Sequence, residues 1–326
     1  MKAVKLKGVF TEVIEPVAPF HFDGTFHKPD HFTTNDHIWE PGIRWQTINW
    51  DGFPLGIKFA NIGTVAEPKV EITLFAENDL NTKQTKEIIT ELSYRFNFNL
   101  DLADFYKKFS TNPFLKESIN NLYGMRPGHP SSLYEYLIIG IILQNASIRR
   151  STQMFENLLQ RYGKLLSFDG KELLCLWGIG EMEKVSEDEL RALKVGYRAK
   201  SILRLDEQFR KGLINEVTMR KLDVVEQKKQ LLALYGVGPA TVWYLLFDVF
   251  HRWEVFEHIS PWEQKLYSQM FFNRGLDDLA TVPQLLTFIN KFGKYKQLAV
   301  HYLWEDLWWK RENGQIFDWL EKEIRR

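Results

Sequence analysis

The segment 230–247 constrains the fold of this chain more than any other. It consists of two apolar helical stretches joined by the turn Gly236-Val237-Gly238-Pro239. Glycine lacks a Cβ atom, so the backbone N–H groups of such a turn can approach a phosphate, at the positive end of the helix that Pro239 begins. The same turn is also typical of an ordinary helix connection with a glycine C-cap and a proline at the first helical position. The sequence therefore predicts two packed helices and leaves phosphate contact and a purely structural turn as alternatives.

The pattern of apolar residues changes near residue 110. Before it, short alternating segments such as 56–59 and 70–75 are separated by Pro, Gly, Asn and Asp, as in an antiparallel sheet, and a helix over 85–96 is predicted to pack on that sheet. After it the pattern is helical, with helices predicted at 133–143, 151–162, 187–193, 200–209, 224–234, 239–250, 261–272 and 295–309. The predicted fold class is α+β, with a small antiparallel α+β domain at 1–110 packed on an all-helical domain at 111–326.

Composition limits the partners and cofactors. Lys plus Arg and Asp plus Glu both number 42, so nucleic acid contact would need a local basic patch. The single cysteine, Cys175, excludes a disulfide or a four-cysteine cluster within the chain and is expected to be buried. Lys2, Lys5 and Lys7 precede no apolar stretch long enough for a signal peptide, and no window resembles a membrane span. We expect a soluble intracellular protein, either cytoplasmic and nucleoid-associated or nuclear.

The histidines suggest no metal site. A single His/Asp cluster lies in the N-terminal part, and the spacing of the histidines is not that of metal ligands. We expect this cluster to be a polar loop. It comprises His21, Asp23, His27, Asp30 and His31.

Four motifs follow one another in a recognisable order. They are Arg126-Pro-Gly with Gln144-Asn-Ala-Ser, the segment LRALKVGYRAK at 190–200, the glycine turn, and FGKYKQLAVHYLW at 292–304. With them the chain resembles the helix-hairpin-helix (HhH-GPD) DNA glycosylases over essentially its full length. Within that superfamily it resembles the alkylbase (3-methyladenine) branch and the 8-oxoguanine enzymes.

The resemblance implies a fold and a function. The first part would be like half of the TATA-binding protein, and the second part would be the glycosylase domain. The chain would be a monomeric base-excision-repair enzyme that flips a damaged purine from double-stranded DNA and hydrolyses its N-glycosidic bond. It would need no cofactor, apart from a monovalent cation held by backbone carbonyls of the hairpin.

The resemblance also implies binding residues. Asn145 would be the wedge that fills the space of the flipped base, beside Gln144, although a helix-terminal turn would also explain the pair. Tyr244 and Trp304 would line the base pocket, although core packing explains either one equally well. The hairpin would contact DNA through Gly236, Val237, Gly238 and Thr241, and phosphate charge would come from Arg149, Arg150, Lys294 and Lys296, unless these simply face solvent.

Ser260 departs from the family pattern. It lies 22 residues after Gly238, where the family has an essential aspartate, and serine cannot stabilise the positive charge that develops on the sugar. Ser260-Pro261-Trp262-Glu263 does form a helix-capping sequence, and Lys265 fits the usual basic position of the next helix. Glu257, His258 and Glu263 are the nearby groups that could replace the aspartate.

Two consequences follow for activity. The lysine that bifunctional relatives use to form a Schiff base is replaced by Ala240, so hydrolysis without lyase activity is expected. The missing aspartate leaves three alternatives: a glycosylase with a displaced catalytic group, a silent lesion-binding homologue, or a structural protein on a reused fold. We favour the glycosylase.

Overall fold

The computed structural model describes residues 1–29, 34–275 and 277–324. Its strands are β1 (Val4–Lys5), β2 (Lys7–Ile14), β3 (His37–Glu40), β4 (Ile43–Trp50), β5 (Phe53–Asn61), β6 (Val70–Ala76), β7 (Lys164–Phe168) and β8 (Lys171–Cys175). Its first helices are α1 (Phe22–Phe26), α2 (Thr82–Arg95), α3 (Ala103–Phe109), α4 (Lys116–Asn121), α5 (Leu133–Leu143), α6 (Ile148–Tyr162) and α7 (Glu187–Ala192). The others are α8 (Arg198–Arg210), α9 (Glu216–Met219), α10 (Val224–Leu232), α11 (Pro239–Asp248), α12 (Pro261–Phe272), α13 (Val282–Ile289), a 3-10 helix (Asn290–Tyr295), α14 (Lys296–Glu312) and α15 (Asp318–Ile324).

The larger sheet is antiparallel, in the order β2-β6-β5-β4-β3. Successive side chains of a strand point to opposite faces of the sheet, so the apolar residues of this sheet belong to two separate cores, one on each face. Ile72 and Leu74 pack with α2 on one face, whereas Phe75 packs with the second sheet on the other. The prediction of an antiparallel sheet covered by a helix is confirmed.

The second sheet combines strands from both parts of the chain, since β1 comes from the first part and β7 and β8 come from the second. Its order is β1-β7-β8, with β1 parallel to β7 and β8 antiparallel to it. The prediction of an all-helical second part is therefore wrong at 164–175. Cys175, at the end of β8, is fully buried as predicted. The likeness of the first part to half of the TATA-binding protein stays a prediction.

The rest of the second part is helical, as predicted. Its main core contains Leu137 and Ile141 of α5, Leu158 of α6, Ile202 of α8 and Leu245 of α11. This core fixes the positions of α5, α8, α10 and α11, whose ends meet at one surface. Among the described residues, none of the helices combines the length and the apolar character needed to cross a bilayer.

Candidate nucleic-acid interface and base pocket

The glycine turn joins α10 to α11 and has the geometry expected of a hairpin that exposes its backbone. Gly236 has φ +81°, and Gly238 is the N-cap of α11, with Pro239 at the first turn. No described side chain caps α11, so the first N–H groups of the helix are not satisfied by a cap. Val237 is 9% exposed, and its backbone N–H donates to the carbonyl of Leu234 at 3.2 Å. The turn therefore presents the uncapped N-terminal end of the α11 dipole, which begins at Gly238.

The predicted wedge lies beside this turn. Asn145 is exposed and has φ +48°, between the end of α5 and the Ser147 cap of α6. The Gln144 side chain donates a hydrogen bond to the carbonyl of Gly236 (Nε2–O, 2.6 Å), and the Arg198 guanidinium donates to the carbonyl of Gln144. These bonds fix the wedge loop to the hairpin and to the start of α8.

Tyr197 is a candidate interface residue that the sequence reasoning did not single out. Its side chain is 52% exposed, its hydroxyl accepts a hydrogen bond from Asn145 Nδ2 at 3.1 Å, and the Arg198 guanidinium lies 4.8 Å from its ring centroid. A tyrosine directly after Gly196, in a segment of basic residues, was the available signal. Asn145 and Tyr197 together form a polar and aromatic projection beside the hairpin.

The basic residues near the hairpin form two groups, one on α6 and one on α8. Arg149 and Arg150 are exposed on the first turn of α6, next to Asn145. On α8, Lys200 and Arg204 lie 5.7 and 4.2 Å from the ring centroid of Tyr235, in the hairpin turn. These four residues provide a local positive patch on a chain of zero net charge.

The other predicted phosphate contacts lie elsewhere in the fold. Lys294 pairs with Asp104 of α3 (Nζ–Oδ2, 3.3 Å), and Lys296 donates a hydrogen bond to Asn290 at 2.8 Å. The structure does not bring either lysine to the hairpin turn. Thr241 is half-buried, with its methyl group towards Gly140 of α5.

Ser260 begins α12, as its sequence predicts. Its hydroxyl accepts a hydrogen bond from the Glu263 backbone N–H (3.2 Å), and the Ser260 backbone N–H donates to Glu263 Oε2 (2.8 Å). Glu263 is only 5% exposed, and its other oxygen accepts a hydrogen bond from Tyr267 at 3.5 Å. A buried carboxylate is therefore held beside Ser260, at the start of α12.

The other proposed substitutes are less well placed. The Glu257 side chain is 62% exposed and forms an ion pair with Lys228 of α10. His258 is half-buried between Glu257 and the buried Ile259. Lys265 pairs with the buried Glu323 of α15 (2.7 Å), so its charge is already neutralised within the protein.

Tyr244 lies on α11 and Trp304 on α14, and both side chains lie near the start of α12. Tyr244 is 37% exposed, and Trp304 forms edge-to-face contacts with Trp262 (5.5 Å) and Tyr267 (6.1 Å). Burial of the hydroxyl raises the pKa of Tyr244 well above its usual value, and the nearby Glu263 carboxylate raises it further. The phenol therefore stays neutral at physiological pH.

The predicted His/Asp cluster is structural where it is described. His21 caps α1, His27 stacks on Trp39 (3.9 Å), and Asp23 accepts hydrogen bonds from Trp39 and Gly42. Asp30 and His31 lie outside the described residues. In the described ranges, no group of three His, Cys, Asp or Glu side chains is arranged to hold a metal ion.

Comparison with known proteins shows that the fold is like that of DNA glycosylases. No protein-family model matches the chain. It is 20% identical over 249 residues to the DNA-3-methyladenine glycosylase of Bacillus subtilis, covering 75% of this chain and 81% of that protein. It is 30% identical over 213 residues to the N-glycosylase/DNA lyase OGG1 of Arabidopsis thaliana, covering 61% of this chain and 56% of that protein.

Solved structures agree on the fold. The structure of MBOgg1 in complex with a low-affinity DNA ligand superposes with a TM-score of 0.70 at 21% identity, covering 97% of this chain and all of that one. The relatives and structural neighbours that this chain resembles are DNA glycosylases of the 3-methyladenine and 8-oxoguanine types. The resemblance predicted from the sequence is confirmed.

Proposed function

We propose that this protein is a monomeric DNA glycosylase that flips a damaged purine from double-stranded DNA and hydrolyses its N-glycosidic bond. The hairpin turn, the Asn145–Tyr197 projection and the basic residues of α6 and α8 lie on one surface, which suits phosphate contact and opening of the base stack. The relatives are DNA glycosylases, and the structural neighbour MBOgg1 was solved with DNA.

The observation that carries this proposal is the position of Glu263. Its carboxylate lies 2.8 Å from the backbone nitrogen of Ser260, is almost fully buried and is preorganised by the capping box. Cleavage of the glycosidic bond develops positive charge on the sugar, and a fixed carboxylate in a poorly solvated site stabilises that charge. In the proposed enzyme, Glu263 supplies the negative charge that Ser260, one helical turn earlier, lacks.

The damaged base would stack against Tyr244 and Trp304. A neutral phenol and an indole both present π faces that suit a planar base, and an electron-poor base most of all. Ala240, on the exposed first turn of α11, carries no amine, so the nucleophile is water and the enzyme has no lyase activity through this position.

The alternative function is that of a protein that binds DNA lesions without catalytic activity. It is favoured by the hydrogen bonds of Glu263, because both carboxylate oxygens are engaged, by Ser260 and by Tyr267. A carboxylate committed to a helix cap stabilises a developing charge less well than one directed at the sugar.

Single-turnover excision separates the two functions. Wild type in excess is mixed with duplexes carrying hypoxanthine, 1,N6-ethenoadenine, 8-oxoguanine or a 3-methyladenine analogue. We expect cleavage, and we expect Glu263→Gln to slow it about a hundredfold, since glutamine keeps the capping box but removes the charge. Glu257→Gln, which changes an exposed carboxylate, is the matched control and should cleave like wild type.

Ser260→Asp completes the experiment. If this variant cleaves the lesions and wild type only binds them, the natural protein is a lesion binder. If wild type cleaves and Glu263→Gln does so equally fast, the role assigned to Glu263 is wrong. If the protein shows no salt-dependent binding to the duplexes tested, both functions are contradicted.

A further inference from the structure

Gln144 links the predicted wedge to the hairpin turn. Its side-chain amide donates a hydrogen bond to the carbonyl of Gly236 in that turn (Nε2–O, 2.6 Å), so its side chain is held by the connection between α10 and α11. Its own carbonyl accepts a hydrogen bond from the Arg198 guanidinium at the start of α8. Arg198 is only 3% exposed, so this second bond is largely shielded from water. Gln144 is therefore held by both its side chain and its backbone.

The residue after Gln144 has an unusual backbone. Asn145 has φ +48°, in the left-handed region that residues other than glycine seldom adopt, although asparagine tolerates it better than most. Such a conformation persists only where the surrounding structure determines it, and it is found most often at functional sites. Gln144 is extended (ψ 125°) and ends α5 on one side, and Ser147 caps α6 on the other. These two neighbours leave Asn145 exposed at a short bend whose backbone is fixed.

The hairpin turn that holds Gln144 is itself packed against α8. A Cβ atom at Gly236 would lie 2.6 Å from Ser201 Oγ, so the turn lies directly on the first turn of α8. Arg198, which holds the Gln144 carbonyl, belongs to the same turn of that helix. The uncapped end of α11 and the wedge loop are therefore connected through one short set of contacts.

We infer that Gln144 is a positioning residue that couples phosphate contact at the hairpin turn to opening of the base stack by Asn145. This inference rests on the proposed function and deepens it. The hairpin is the part of the surface that suits a phosphate, and Asn145 is the part that would enter the duplex. A wedge on a loose loop loses conformational freedom when it inserts, whereas a wedge already fixed to the DNA-bound hairpin does not. Gln144 thus acts through the protein, by its bond to Gly236.

Base opening can be measured separately from duplex binding. Duplexes carry 2-aminopurine next to each of the lesions tested for excision, with a 2′-fluoro sugar on the lesion to block cleavage, and the rise in 2-aminopurine fluorescence reports opening of the stack. We expect Gln144→Met, which is similar in shape but has no donor, to lower the equilibrium constant of opening about tenfold. Anisotropy with an undamaged duplex should give an affinity within about twofold of wild type and the same salt dependence, because no phosphate contact is removed.

A double-mutant cycle shows whether Gln144 acts through the wedge. Asn145→Gly removes the wedge side chain and adopts φ +48° without strain. If Gln144 works by holding Asn145, Gln144→Met should cause no further loss of opening in the Asn145→Gly background, because the two effects are then not additive. A residue that only supports the fold would lower opening by the same factor in both backgrounds. Gln269→Met on α12 also removes one amide hydrogen bond (to Asn273 Oδ1, 2.8 Å), and this matched control should open the stack as wild type does.

Several results would overturn the inference. Opening at the wild-type level in Gln144→Met, or an equal loss in the Asn145→Gly background, would show that Gln144 does not act on the wedge. Equal weakening of opening and of undamaged-duplex binding would make Gln144 an ordinary DNA contact. If wild type binds the duplexes but opens the stack at none of the lesions, the proposed function is contradicted and the inference with it. Melting curves of the variants verify that the fold persists.

Discussion

At position 260 the structural task of capping a helix can be separated from the chemical task that the proposed function requires. Serine and aspartate are both good N-caps, because either side chain accepts a hydrogen bond from the first turn of a helix. Ser260 does so with Glu263, and α12 begins where the sequence predicts. The negative charge is the difference between them. The helix start is thus independent of the charge, which in the proposed enzyme comes from Glu263.

Gly236 gives a prediction at the residue scale. Its φ is +81°, and a Cβ atom there would lie 2.6 Å from Ser201 Oγ. Gly236→Ala should therefore lower the free energy of unfolding by about 2 kcal/mol, through backbone strain and overpacking. Urea unfolding measures this. Gly238→Ala, where no described atom lies within 4 Å and φ is negative, should cost less than about 1 kcal/mol. Equal losses would contradict the argument.

At the scale of elements, the sequence predicted best where the apolar pattern is long. Helices α5 and α12 have the predicted bounds, and α2, α6 and α11 agree within a few residues. The short α9 and the strands β7 and β8 were missed, because segments of four or five residues carry too little periodicity. The hairpin and the capping box could be predicted since they depend on local sequence. The contact of Asn145 with Tyr197 could not, since it joins distant segments.

The contact between the two sheets gives a prediction at this scale. A Cβ atom at Gly56 of β5 would lie 2.7 Å from the ring of Phe168 in β7. Gly56→Ala should force the sheets apart and cost about 1 to 3 kcal/mol of unfolding free energy. Gly8→Ala is the control, because its Cβ would meet the nearest described atom at an ordinary 3.6 Å. Thermal unfolding of the two variants should differ accordingly, and similar melting temperatures would argue against tight packing here.

At the scale of the whole molecule, a network of charges joins the first part to the helical part. Glu91 of α2 accepts hydrogen bonds from Arg95 (2.7 Å) and from both terminal nitrogens of Arg220, just after α9. The Arg220 guanidinium lies 3.8 Å from the ring centroid of Tyr94, whose hydroxyl donates to the carbonyl of Val249. These bonds fix the orientation of the N-terminal sheet relative to α11.

The network predicts how stability depends on pH. The neighbouring arginines overcome the effect of burial and lower the pKa of Glu91 from 4.5 to about 2 in the folded protein. Its stabilisation is therefore complete above pH 4.5 and is lost as the pH falls towards 2. Glu91→Gln should cost up to about 3 kcal/mol at pH 7 and progressively less below pH 4.5. Urea midpoints at several pH values measure this, and Glu87→Gln, on the exposed side of α2, should follow the wild type throughout.

The parallel pairing of β1 with β7 has a consequence for synthesis. Val4 of β1 pairs with Leu166 of β7, which is synthesised much later. The two strands therefore cannot pair until β7 has left the ribosome. The five-stranded sheet, in contrast, needs nothing beyond β6 to complete its ladder. A nascent chain would therefore fold its first sheet early but hold β1 unpaired, and the order of translation would determine when the two halves join.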